Sequence, residues 1–249
     1  GIWAPTIRRR NGKFYMITTN NNISKHILVS AEDPAAQWSE PIYFDTGGID
    51  PSLFFDDDGK AYLQHTHEQD HIVQSQIDIE TGKIIKGPHQ IWPGTGGRCP
   101  EGPHLYKIND FYYCMLAEGE TGPGHSVTIA RSRSPWGPFE PCPHNPILTH
   151  RDRWGHEIQC TGHGDIFQDI KGKWWIVFLA IRPNQRPFLG RETLLAPVEF
   201  KDGWPVVNQN GTVEIEMNCD RIKTPQNSDR SMREDFESEN LNLEFNSRN

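Results

Sequence analysis

The sequence predicts an all-β protein arranged as a β-propeller, with four blades present in the chain. Three observations carry that prediction. One hairpin unit recurs four times, opening near positions 4, 50, 101 and 163, and a repeat of about 45–65 residues is a propeller-blade period. Each unit turns on residues suited to tight hairpins, set between short apolar runs. Gly (22 residues), Pro (19) and 10% aromatics punctuate the chain, with no long helical periodicity between them.

The first unit runs from Ala4-Pro5 to Asn11-Gly12-Lys13-Phe14-Tyr15-Met16-Ile17. The second runs from Asp50-Pro51-Ser52-Leu53 through Asp58-Gly59-Lys60 to Ala61-Tyr62-Leu63. The third opens on Glu101-Gly102-Pro103-His104 and turns at Asn109-Asp110, and the fourth opens on His163-Gly164-Asp165 and turns at Gly172-Lys173. A second strand pair follows each hairpin, at His26-Ile27-Leu28-Val29, His71-Ile72-Val73-Gln74, Val127-Thr128-Ile129-Ala130 and Leu194-Leu195-Ala196-Pro197. A β-sandwich with coincidentally similar turns is the competing reading, and four matching hairpins with matching followers weigh against it. The run Asp56-Asp57-Asp58-Gly59 superficially suggests a calcium loop, but it occupies the hairpin-turn position of the repeat and reads as a turn.

Length and composition narrow the function. With 249 residues and 35% hydrophobic content the chain can bury one domain or a little more. A net charge of −8 with no basic stripe argues against a nucleic-acid partner. No run approaches the roughly 20 apolar residues of a membrane helix, so no membrane partner is expected. The five cysteines form no CxxC pair and no dense framework. We assign 1–225 to the propeller. The polar, acidic 226–249 reads as a linker and the start of a C-terminal β-sandwich domain.

In a propeller the innermost strand of each blade lines the axis, and its first residues point into a funnel. Trp3, Asp50, Glu101 and His163 open the repeats and are therefore candidates for one shared pocket. Two carboxylates in one cavity suit glycoside hydrolysis, which needs a neutral acid to protonate the leaving oxygen and an ionised carboxylate elsewhere. Partial burial and a negative neighbour would raise the acid's pKa. Glu101 has the longer reach and small neighbours, so it is the better acid candidate, while Asp50 is suited to staying charged. On the repeat alone, Asp50 as a strand-turn cap and Glu101 as a solvated blade-edge residue stand as equal alternatives.

Several motifs, taken together, carry a resemblance. Trp3-Ala4-Pro5, Gly48-Ile49-Asp50-Pro51-Ser52-Leu53-Phe54, Glu101-Gly102-Pro103-His104-Leu105-Tyr106-Lys107, Thr161-Gly162-His163-Gly164-Asp165 and Leu189-Gly190-Arg191-Glu192-Thr193 occur in this order from Trp3 to about Asn210. The chain resembles the family 43 glycoside hydrolases, in particular their β-xylosidases and α-L-arabinofuranosidases. The resemblance implies a five-bladed propeller and inverting hydrolysis by three acidic residues. It implies Glu101 as the general acid and Asp50 as the acid that orients it and raises its pKa. Trp3, Arg191 and His163 are implied as substrate-binding residues, acting on xylo- or arabino-oligosaccharides. No cofactor is required, although in some members a water-ligated structural calcium ion lies near the residue that His163 matches.

One departure accompanies the resemblance. The family's general base is an Asp on the inner strand of the first blade, and no Asp in this chain matches it; Asp165 belongs to the fourth repeat. The expectation is therefore that a first blade precedes Gly1 and that this chain alone is inactive or badly impaired. The competing functions are an endo-arabinanase of the same fold and a non-catalytic carbohydrate-binding propeller. His65, His67, His71 and His125 have no helical metal spacing and receive no role.

Overall fold

The computed structural model describes residues 1–68, 71–183 and 190–217. Its architecture is all-β: four antiparallel sheets follow one another along the chain, each a propeller blade. The first blade comprises β1 (Ile2–Arg10), β2 (Lys13–Asn20), β3 (Lys25–Ala31) and β4 (Ile42–Phe44). The second comprises β5 (Ile49–Phe55), β6 (Ala61–His67), β7 (His71–Ile77) and β8 (Ile84–Gln90). The third contains β9 (Glu101–Ile108), β10 (Phe111–Glu118), β11 (Ser126–Ser132), β12 (Glu140–Pro141) and β13 (Leu148–Thr149), the last pairing with β11. The fourth contains β14 (Gln159–Gln168), β15 (Trp174–Ile181), β16 (Glu192–Lys201) and β17 (Trp204–Val207). The expected hairpins β1–β2, β5–β6, β9–β10 and β14–β15 all form. Asp56-Asp57-Asp58 is a hairpin turn, with the Asp56 carboxylate accepting the Tyr112 hydroxyl at 2.8 Å and the Lys107 ammonium at 3.1 Å.

Side chains of a strand alternate between its two faces, and this alternation builds the core. On β10, Tyr112, Cys114 and Leu116 pack towards the second blade, whereas Tyr113 and Met115 pack towards the fourth. On β5, Leu53 joins Ile17, Leu28 and Phe44 of the first blade, while Phe54 joins Leu105 and Tyr112 of the third. Burying each such side chain contributes roughly 1.5–3 kcal/mol. Three apolar clusters thus hold the first blade to the second, the second to the third and the third to the fourth.

The fourth and first blades are joined differently. Among the described residues no apolar cluster links them, and Ile2 and Ile7 of β1 are 66% and 48% exposed. Near the axis, Arg8 reaches across to Asp165, its two terminal nitrogens lying 2.7 and 3.0 Å from the two carboxylate oxygens. Bidentate pairing of this kind has fixed geometry as well as charge attraction.

The compact unit containing the blades ends at Met217. Residues 218–225 of the expected propeller, and the expected linker and β-sandwich start at 226–249, lie outside the described residues.

Candidate active site

Each inner strand carries the same local distortion at its opening. Ala4, Asp50, Gly102 and His163 have φ of 41°, 54°, 56° and 47°, the left-handed region. Beside each, the ladder slips: between Trp3 and Thr6, between Ile49 and Ser52, between the partners of His104 and Glu101, and between Gly162 and Asp165. A bulge of this type adds a residue to one strand and re-aims its side chains. A left-handed conformation at a non-glycine residue costs on the order of 1–2 kcal/mol and persists only where the surroundings enforce it. Ala4, Asp50 and His163 all bear that strain, at the mouth of one axis.

The distortion corrects one sequence-based expectation. Asp50 and Glu101 are not equivalent positions of the repeat. Asp50 is equivalent to Gly102, as the prolines that follow both residues show, and Glu101 is equivalent to Trp3, Ile49 and Gly162. In a regular strand, positions one apart face opposite sides. The bulge cancels that alternation and lets both carboxylates line the same cavity.

That cavity is a cleft of about 720 Å³ lined by Trp3, Asp50, Glu101, His163 and Arg191, all five residues singled out from the sequence. It extends between the first and fourth blades, past Ile7 and Leu179. Trp3 stands at 47% exposure, with much of its indole open to solvent. Ligand atoms of Asp50, Glu101 and His163 lie within 4.8 Å of one another. The Asp50 carboxylate accepts the backbone N–H of Gly102 at 3.2 Å. The His163 ring lies so close to Gly102 that a Cβ there would sit 2.7 Å from Nε2.

The electrostatics raise both acids. Burial, and then the charge of Asp50, push Glu101 up to about 7, against the pull of Arg191. Burial also raises Asp50, opposed by His163, by the Gly102 N–H and by Arg191. A carboxyl group poised near neutrality beside a second carboxylate can give and take a proton at ordinary pH.

Below this pair lies a network that the sequence did not single out. Asp165 is held by Arg8 and accepts the Tyr106 hydroxyl at 2.8 Å, and Arg8 also contacts His104 Nδ1 at 3.1 Å. Burial acts to raise Asp165, but His104, Arg8 and the hydrogen bonds outweigh it and hold the carboxyl at about 2. Asp165 lines the cleft, yet with both oxygens engaged it is a structural ion-pair partner and not a free base. Its only sequence signal was its place two residues after His163.

The spacing of Asp50, Glu101 and His163 would let one ligand atom from each approach a single cation. Calcium takes six to eight oxygen ligands, whereas these side chains offer two carboxylates and one imidazole nitrogen. A divalent cation would moreover draw the Glu101 proton off. These three side chains alone do not complete a calcium shell, and a calcium ion near His163 would take most of its ligands from water.

A propeller whose axial mouth holds paired carboxylates, one of them near neutrality, is suited to the class of enzymes that cleaves glycosidic bonds. The match to known proteins places the chain within that class: residues 1–205 match the model for glycosyl hydrolases family 43, and the chain belongs to that family. It is 41% identical over 251 residues to the non-reducing end alpha-L-arabinofuranosidase BoGH43B of Bacteroides ovatus, covering 98% of this chain and 47% of that protein. It is 45% identical over 236 residues to a xylosidase/arabinosidase of Butyrivibrio fibrisolvens, covering 87% and 46% respectively. Among solved structures, the Bacteroides ovatus xyloglucan PUL GH43B superposes with a TM-score of 0.90 at 41% identity, covering 98% of this chain and 49% of that one. The xylan beta-1,4-xylosidase of Bacillus halodurans C-125 gives 0.83 at 33% identity, with 90% and 47% covered. The chain therefore spans about half the length of the relatives it matches.

Proposed function

We propose that the protein removes xylose or arabinofuranose residues from xylan-derived polysaccharides or oligosaccharides by inverting hydrolysis. The observation that carries this reading is Glu101, partly buried beside Asp50 and pushed up to about 7. Glu101 acts as general acid. Its proton passes to the glycosidic oxygen as the bond from that oxygen to the anomeric carbon breaks. A water molecule attacks the anomeric carbon from the opposite face and gives its proton to a carboxylate base. Asp50 orients Glu101 and sustains its raised pKa. Trp3 packs against a sugar face, and Arg191 and His163 bind hydroxyl groups.

The base is not among the described residues of the cleft, because Asp165 is committed to Arg8 and Tyr106. We assign it to a part of the protein outside these 249 residues. Residues 1–249 alone are then inactive or strongly impaired.

The test uses the full-length protein and compares nitrophenyl β-xyloside with nitrophenyl α-L-arabinofuranoside, following the product anomer by NMR. Turnover of at least one substrate with inversion, abolished towards oligosaccharides by Glu101→Gln, is the expected result. Sugar binding without turnover would mark a non-catalytic propeller. Turnover with the anomeric configuration retained would eliminate the single-displacement mechanism.

A further inference from the structure

Glu118 ends β10 and is 2% exposed, a buried acid that the mechanism above does not use. Its carboxylate gathers the segment leading into Glu101. Oε1 accepts the Thr95 N–H at 2.9 Å and the Gly97 N–H at 2.8 Å. Oε2 accepts the Thr95 hydroxyl at 3.0 Å and the Thr128 hydroxyl at 2.5 Å, the latter from the neighbouring strand β11. Every partner is a donor, which a carboxylate matches and an amide does not.

The grip continues beyond the side chain. The Gly119 N–H donates to the Arg98 carbonyl at 2.7 Å, and Glu120 pairs with Arg98 at 2.6 Å. Backbone from 95 to 98 is thus tied at three successive points to the end of β10. Only Cys99, with φ of 49°, and the buried Pro100 separate that anchor from Glu101. The carboxylate and the loop are in contact along their length: a Cβ on Gly97 would lie 3.0 Å from both Cβ and Oε1 of Glu118.

We infer that Glu118 is a positioning residue for Glu101: it fixes the 95–100 segment, and through it the placement of the acid over the scissile oxygen. The inference rests on the reading of Glu101 as general acid. Loss of the anchor would leave substrate binding largely intact while moving the proton donor. Displacements of about 1 Å can cost on the order of 10²-fold in rate.

Leaving-group dependence tests this in the full-length protein. A poor leaving group needs the acid, whereas a dinitrophenolate departs without it. Glu118→Gln should lower kcat by about 10-fold or more on xylobiose or the matching arabino-oligosaccharide, within the range that general acids supply. On the dinitrophenyl glycoside it should change kcat by less than about 3-fold, and KM should move little on either. The alkaline limb of its pH profile should also shift. Gly97→Ala presses on the same contact while keeping the carboxylate, and should show the same discrimination to a smaller degree; it carries the test if Glu118→Gln does not fold. Equal losses on both substrates, or no loss on either, overturn the inference. If Glu101→Gln discriminates between the leaving groups and neither anchor variant does, the inference fails alone. A Glu101→Gln variant with full activity on the oligosaccharide removes the acid assignment, and the inference with it.

Discussion

The Asp50 carboxylate accepts the backbone N–H of Gly102 at 3.2 Å, which ties the second blade to the residue directly after Glu101. This contact joins the two acids geometrically as well as electrostatically. Asp50 cannot move without drawing on the strand that carries Glu101, and its charge is the second-largest influence raising Glu101, after burial.

Asp50→Asn should therefore act in a set direction. Without the neighbouring charge the Glu101 carboxyl loses one of the causes that raise it, so the alkaline limb of the kcat/KM profile should move to lower pH. In the unmodified protein that limb should fall through about pH 7, where Glu101 loses its proton. A pH series on xylobiose or the matching arabino-oligosaccharide, whose poor leaving group needs the acid, measures both. A limb that stays in place, or moves to higher pH, contradicts the coupling.

Gly102 is constrained twice, by φ of 56° and by the His163 ring over it. Gly102→Ala should destabilise the fold by about 1–2 kcal/mol from the backbone alone. It should also push His163 out of the cleft, so activity should fall further than stability. Thermal denaturation and substrate KM, measured side by side, separate the two effects.

The Arg8–Asp165 pair should make stability depend on pH at the acid end. Asp165 is lowered from an ordinary carboxyl value to about 2. A depressed carboxyl stabilises the fold fully above its unfolded pKa of about 4, and that contribution is lost as pH falls from about 4 towards 2. The amount at stake is on the order of 2 kcal/mol. Arg8→Ala should leave a buried, uncompensated carboxylate and a larger loss at neutral pH. Urea unfolding at pH 7 and pH 3 checks both statements.

Leu53 is fully buried between the first and second blades. Leu53→Ala should cost about 2–5 kcal/mol through lost burial and the cavity left behind. Denaturant midpoints at constant m-value provide the measurement.

Much of this molecule is local and so was legible in the chain. Hairpins form where Asn11-Gly12, Asp58-Gly59 and Gly172-Lys173 turn between short apolar runs, because tight turns depend on a few neighbouring residues. Four repeats of that unit determined the all-β class and the four blades. Trp3, Asp50, Glu101 and His163 were identified as residues of one cleft because repeat position predicts the axial face, and Arg191 joined them only through the family resemblance. Relations between blades were not legible. The one-residue offset between Asp50 and Glu101 is marked by Pro51 and Pro103, but that both carboxylates still face one cavity depends on a bulge at each strand opening, sustained by contacts between strands. The pairing of Arg8 with Asp165, 157 positions apart, arises only when the first and fourth blades meet, and the hold of Glu118 on the segment before Glu101 only when the strands of the third blade pair. The sequence by itself thus determined which carboxylates meet. Tertiary packing decided how they differ, because burial and the charge of a neighbour set the protonation of an acid, and neither exists until the chain has folded.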